Sequence, residues 1–143
     1  MFERYTMLAR RVLFFARHEA SQIGGDSIET EHLLLGMLRE SGGVVGRILL
    51  DAGISYQRVR REIGENIPAR SKVPTSVEMP FSEDIKRVLH FAAEEADRLA
   101  HPHIGTEHLL LGLLRERGAF AERSLTQKGL SLDRIREELA ATA

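Results

Sequence analysis

An all-α bundle of about eight helices, built as two similar four-helix halves related by a pseudo-twofold axis, is the fold this sequence predicts. Three observations carry the prediction: a long internal repeat, apolar residues at helical rather than alternating intervals, and capping residues at matching places in both copies. The repeat has an offset of 76 residues, from Thr30 to Thr106. Thr30-Glu31-His32-Leu33-Leu34-Leu35-Gly36 recurs as Thr106-Glu107-His108-Leu109-Leu110-Leu111-Gly112. The match runs on through Leu38-Arg39-Glu40 and Leu114-Arg115-Glu116. Upstream, Arg11-Val12-Leu13 pairs with Arg87-Val88-Leu89, and Glu19-Ala20 with Glu95-Ala96. Downstream, Gly53-Ile54-Ser55 pairs with Gly129-Leu130-Ser131, and no gap is needed.

The first helix of each copy is expected to start at Thr6 or Ser82, whose hydroxyls can accept the free N–H groups of a first turn. Ala9, Val12, Leu13, Ala16, Ala20 and Ile23 then share one helical face, repeated by Ile85, Val88, Leu89, Ala92, Ala96 and Leu99. The second helix follows Thr30 or Thr106, read as its N-cap, with Glu31 or Glu107 favouring the positive end of the helix dipole. A third helix lies around residues 44–52 and ends at Gly53, with a counterpart ending at Gly129; glycine just past a helix accepts positive φ. The fourth starts at Ser55 or Ser131 and carries Val59 with Ile63, or Ile135 with Leu139. Gly36 and Gly112 each cost about 1 kcal/mol against alanine in a helix interior. Recurring at the same place, they predict close helix–helix approach, and the two halves are expected to pack on each other. Three of the four prolines, Pro68, Pro74 and Pro80, fall between the copies. Proline disrupts helices, so residues 66–80 are expected to be an irregular linker within one domain of residues 1–143, between repeat one (1–65) and repeat two (81–143).

Composition narrows the function classes. The formal net charge of the 143 residues is −1, without the basic excess that neutralises phosphates, so nucleic acid is a poor candidate partner. There are no cysteines, which removes disulfides, zinc ribbons and thiol catalysis. No apolar run approaches the ~20 residues that span a bilayer, and the N-terminus lacks a signal-peptide pattern. The expected setting is the cytoplasm, without a membrane partner.

Few residues suggest chemistry. Gly42-Gly43-Val44-Val45-Gly46-Arg47 lacks the spacing and the Lys-Ser/Thr of a phosphate-binding loop, so neither ATP hydrolysis nor a cofactor is expected of this chain. His101, His103 and His108 have ligand-like spacing, but Pro102 interrupts them and the first copy offers only His32 in register; loop and cap histidines are the favoured reading over a metal site. A small enzyme built on these histidines lacks a convergent catalytic set. Arg58, Arg60 and Arg61 read as a solvated helix face, as do Arg10, Arg11, Lys86 and Arg87. Glu31 and Glu107 have two readings, dipole partners worth about 0.3–1 kcal/mol or exposed carboxylates for a cationic ligand.

Ile104-Gly105-Thr106-Glu107-His108-Leu109-Leu110-Leu111-Gly112-Leu113-Leu114-Arg115-Glu116 resembles the signature of the Clp N-terminal repeat, and Met1-Phe2-Glu3-Arg4-Tyr5-Thr6 is similar to the start of ClpC-type proteins. The resemblance covers nearly the whole chain. It implies a non-catalytic domain that receives protein substrates and adaptor proteins for an AAA+ unfoldase ring and its partner peptidase. It also implies a receptor for phosphoarginine with one site per repeat. Glu31 and Glu107 match the positions that engage the guanidinium, and Thr6 and Ser82 those at the helix starts that hold the phosphate. Phe2 and Phe81 match an apolar docking surface. The sequence departs from the family pattern where Glu29 replaces the glycine before Thr30, and where Ser41-Gly42-Gly43 and Arg117-Gly118-Ala119 replace a Gly-Glu-Gly-like turn. The Glu29 carboxylate would repel a phosphate. A free-standing accessory subunit of a Clp protease is the alternative.

Overall fold

Both copies fold into the four helices their patterns predict. The computed structural model describes residues 2–40 and 42–142; Met1 of the opening motif and Ser41 of the departing turn lie outside them. The first half comprises α1 (Met7–Ile23), α2 (Thr30–Glu40), α3 (Gly43–Asp51) and α4 (Tyr56–Asn66). The second comprises α5 (Glu83–Arg98), α6 (Thr106–Arg115), α7 (Phe120–Gln127) and α8 (Leu132–Thr142). Among the described residues extended pairing is limited to two isolated bridges, Tyr5 with Ile104 and Ile28 with Phe81.

Each half is organised by an antiparallel hairpin, α1 on α2 and α5 on α6. The repeated glycines bring these helices together. A Cβ at Gly36 would stand 2.5 Å from the Val12 carbonyl oxygen, and one at Gly112 2.5 Å from that of Val88. With no side chain there, the backbones touch, and Leu33, Leu34 and Leu35 of α2 and Leu109, Leu110 and Leu111 of α6 are fully buried. The halves interlock: α3 packs on α6 as well as α2, and α7 on α2 as well as α6.

Four of the predicted caps form. The hydroxyls of Thr6, Ser82, Ser55 and Ser131 accept from Ala9, Ile85, Arg58 and Arg134 N–H at 3.1–3.2 Å. Gly53 and Gly129 have φ of 72° and 95°, as the chain reversal after α3 and α7 requires. The second helices differ from expectation. Thr30 and Thr106 are their first residues, and Thr30 Oγ1 accepts the Ala121 N–H of the other half at 3.3 Å. The capping is done three residues into the helix by histidine: Nδ1 of His32 accepts the Glu29 N–H at 2.9 Å, and Nδ1 of His108 that of Gly105 at 2.8 Å.

This cap makes stability depend on pH. Burial of His32, against the pull of Glu19, lowers its pKa to about 4. An unfolded histidine titrates near 6.5. The neutral ring therefore contributes stability that is fully present above about pH 6.5 and lost as pH falls toward 4, up to about 3 kcal/mol. Urea midpoints of wild type and His32→Gln at pH 7 and pH 4.5 check this. The expected result is a smaller drop for the variant, whose amide oxygen can accept the same N–H without titrating.

The segment between α4 and α5 is irregular and lies along α1. Val73 N–H donates to Ser21 O at 2.9 Å, and Arg17 donates to the carbonyls of Thr75 and Val77. Within the segment, Met79 is buried.

Candidate functional site

The hairpin geometry decides which sequence-predicted residues can meet. Because α1 and α2 run antiparallel, the end of α2 sits at the start of α1, with Glu40 3.5 Å from Arg11. Glu31, at the other end of α2, shares a cavity with Ile23 at the end of α1. Seventeen residues of α1, about 25 Å, thus separate it from Thr6. Glu31 and Thr6 do not converge, and neither do Glu107 and Ser82.

The partners come from opposite halves. Thr6 N–H donates to Ile104 O at 3.0 Å, and Ile104 N–H to Arg4 O at 2.8 Å. This seats the start of α1 beside the segment that enters α6 at Glu107. Ile28 and Ser82 repeat the pattern: Ser82 N–H donates to Ile28 O at 3.0 Å, and Ile28 N–H to Pro80 O at 2.8 Å. The start of α5 is thereby set beside the segment leading to Glu31. Each composite end joins a first-helix N-terminus from one repeat to a second-helix N-terminus from the other.

The two ends differ in charge. The first turn of α1 holds no acid, whereas that of α5 holds Glu83 and Asp84. Asp84 shares with Glu29 and Glu31 a cavity of about 390 Å³, facing Arg70 and Arg123. Burial, followed by Glu29 and Asp84, pushes the Glu31 carboxyl above its ordinary value against its own backbone N–H and Thr30. Asp84 is pushed up by burial, then by Glu116 and Glu29, against Arg87. At the other end the Glu107 carboxylate folds back over Gly105: a Cβ at that glycine would stand 2.1 Å from Oε1. Glu29 occupies the corresponding place before Thr30, so Glu31 has no such bed.

Phe2 and Phe81 meet edge to face with ring centroids 6.1 Å apart, and Phe2 also contacts Tyr5 at 5.0 Å. Both phenylalanines are half-buried against the core. An open groove of about 440 Å³ on the outer side of Phe2 is lined by Glu3, Arg10 and Leu13. Of the three spaced histidines, His103 is exposed, while Nδ1 of His101 lies 2.9 Å from Nε2 of His108. Among the described residues no three His, Asp or Glu side chains are grouped to hold a metal ion. None of their helices is long and apolar enough to cross a membrane.

Sequence reasoning missed two buried carboxylates. Glu19 receives Arg39, Arg60 and the Tyr56 hydroxyl at 3.0, 3.2 and 2.8 Å. Glu95 receives Arg115 at 3.0 Å and Arg136 at 2.9 and 2.6 Å. Arg60 is therefore tied to a core carboxylate and is not part of a merely solvated face. The available signal was an acid repeated among the buried alanines of the first helix, with arginines 20 and 41 residues later in both copies.

An interlocked pair of four-helix repeats, with a composite seam at each end, defines a duplicated all-helical domain. The chain belongs to the family of the Clp repeat (R) N-terminal domain, whose model matches residues 4–128 and 80–142. It is similar to chaperone protein ClpC1, chloroplastic, of Oryza sativa subsp. japonica, with 41% identity over 97% of the chain, and spans 15% of that relative's length. The N-terminal domain of the chaperone ClpD from Arabidopsis thaliana superposes with a TM-score of 0.75 and 31% identity, covering 99% of this chain and 95% of that one. A ClpV N-domain solved in complex with a VipB peptide has the same fold, with a TM-score of 0.76 and 19% identity over 97% of this chain and 86% of that one.

Proposed function

We propose that this chain is the substrate- and adaptor-docking domain of a ClpC-like AAA+ unfoldase acting in regulated proteolysis. Its phosphoarginine site is the composite end formed by Thr6 and Glu107. The observation that carries this reading is the contrast between the ends. At Thr6 the free N–H groups of a helix start are unopposed by acid in the first turn, which suits a phosphate. Glu107 from the other repeat supplies a carboxylate for the guanidinium half of the same ligand. At Ser82 the dianionic phosphate would face Asp84, Glu29 and Glu31, so this second end is a poor receptor for it. Phe2, resting on Phe81, forms with Leu13 and Arg10 the apolar docking surface beside the Thr6 end. The ClpV N-domain complex supports peptide docking on this fold.

Calorimetric titration of free phosphoarginine tests the reading, with unmodified arginine as control. Wild type is expected to take up one equivalent. Glu107→Ala should weaken it about tenfold or more, the loss of a charged hydrogen bond, and Glu31→Ala should leave it unchanged. No uptake by the wild type removes the phosphoarginine claim and leaves adaptor docking. Equal losses in both variants would put a working site at each end.

A further inference from the structure

The loop between α5 and α6 contains a chain of hydrogen bonds that the other half lacks. The Gly105 N–H donates to Nδ1 of His108 at 2.8 Å, and Nε2 of His108 lies 2.9 Å from Nδ1 of His101. Since Nδ1 of His108 is an acceptor, the neutral ring carries its proton on Nε2 and donates it to His101, whose own proton is on the far nitrogen. One more proton on the pair forces two N–H groups to face each other, either between the rings or between His108 and Gly105. No exchange of tautomers avoids this. The loop as built is therefore the uncharged pair's geometry.

The same loop holds the chain's N-terminal segment. Ile104 is hydrogen-bonded on both sides, to Arg4 and to Thr6. The Arg4 guanidinium closes over the loop, donating to Pro102 O at 3.1 Å and His101 O at 3.3 Å and pairing with Asp97 at 2.8 Å. The groups facing His108 are Glu107 and Glu95, which favour a bound proton, and His101 and Arg4, which oppose it. Burial outweighs them and holds His108 below the usual histidine range. In the first half Gly25 stands where His101 does, and His32 makes its cap without a second ring.

We propose that His101 and His108 form a proton-sensitive latch: a proton taken up by the pair loosens Ile104 from Arg4 and Thr6, opening this seam while its counterpart at Ile28 and Ser82 stays shut. Release of Thr6 also weakens the ligand site. That consequence rests on the phosphoarginine reading, whereas the latch does not.

Nitrogen-15 NMR of the chain between about pH 7.5 and 5, the range in which histidines titrate, tests the latch without any ligand. The amide signals of Thr6, Ile104 and Gly105 are expected to shift together with the His108 ring nitrogens, while those of Ile28 and Ser82 hold still. In His101→Asn the amide oxygen still accepts from His108 but takes up no proton. Its seam signals should match wild type at neutral pH, and the transition should move to lower pH, because the remaining ring is the buried one. Seam amides that hold still in the wild type, or a transition at unchanged pH in His101→Asn, would overturn the latch.

Discussion

Replacing Glu95 by alanine is expected to destabilise the domain by about 3–5 kcal/mol, because it strands charge that the fold has taken out of water. Glu95 is 1% exposed and fixes two guanidinium groups from different helices, Arg115 of α6 and Arg136 of α8. Arg115 also lies over the Phe91 ring, 4.3 Å from its centroid. Burial alone would raise the carboxyl's pKa, but the hydrogen bonds and charges of Arg136 and Arg115 outweigh it and hold the group below its ordinary value. Without the carboxylate, both cations keep their covered positions and lose their buried partner, Arg115 retaining only the half-exposed Glu94 at 2.8 Å and Arg136 only the exposed Asp133 at 3.7 Å. Denaturant unfolding of Glu95→Ala measures the loss. A triple variant, Glu95→Leu with Arg115→Met and Arg136→Met, should recover most of it, because an apolar set of similar volume needs no counter-charge. A loss below about 1 kcal/mol in Glu95→Ala would mean that water, not the carboxylate, solvates the guanidiniums.

The second large effect concerns the helix contacts. Alanine is the better helix former by about 1 kcal/mol, so on an isolated helix Gly36→Ala and Gly112→Ala would both stabilise. In the folded chain the added methyl meets backbone, which cannot swing aside as a side chain does. At Gly36 it would also stand 3.0 Å from Ala16 N, and at Gly112 3.2 Å from Val88 Cγ1. Relief requires the two helices of a hairpin to separate, disturbing the leucines packed behind them. Overpacking of this kind costs about 1–3 kcal/mol per site. The sites lie in different hairpins, so the double variant is expected to lose about 2–6 kcal/mol. A double variant with an unchanged or higher melting temperature would contradict the contact.

The helices were legible because their signals are local. Apolar spacing, hydroxyl caps and glycines past helix ends act within a few residues, and the 76-residue repeat supplied each of them twice. Gly36 and Gly112 were legible for a different reason: a costly residue repeated inside a helix needs a tertiary cause. What could not be read depends on contacts between the halves. Thr30 looks like an N-cap, yet its hydroxyl serves Ala121 of the other repeat, and the capping falls to His32. Thr6 and Ile104 belong to different repeats, and only the way the halves lock together joins them by a backbone hydrogen bond. Arg60 looks like one member of a basic cluster until the buried partner Glu19 is placed beneath it.

The crossing of α3 onto α6 and of α7 onto α2 bears on ancestry. A solitary repeat would leave the outer flank of its second helix bare and its third helix with half a seat. Two identical solitary repeats could cover one another by a twofold exchange of these surfaces, the isologous arrangement most common among protein pairs. The present chain thus has the geometry of a homodimer made permanent by gene duplication and a tether. In one tethered chain the two ends can differ, as the first turn of α5 with its acids differs from that of α1 without any, whereas a symmetric dimer carries two identical ends.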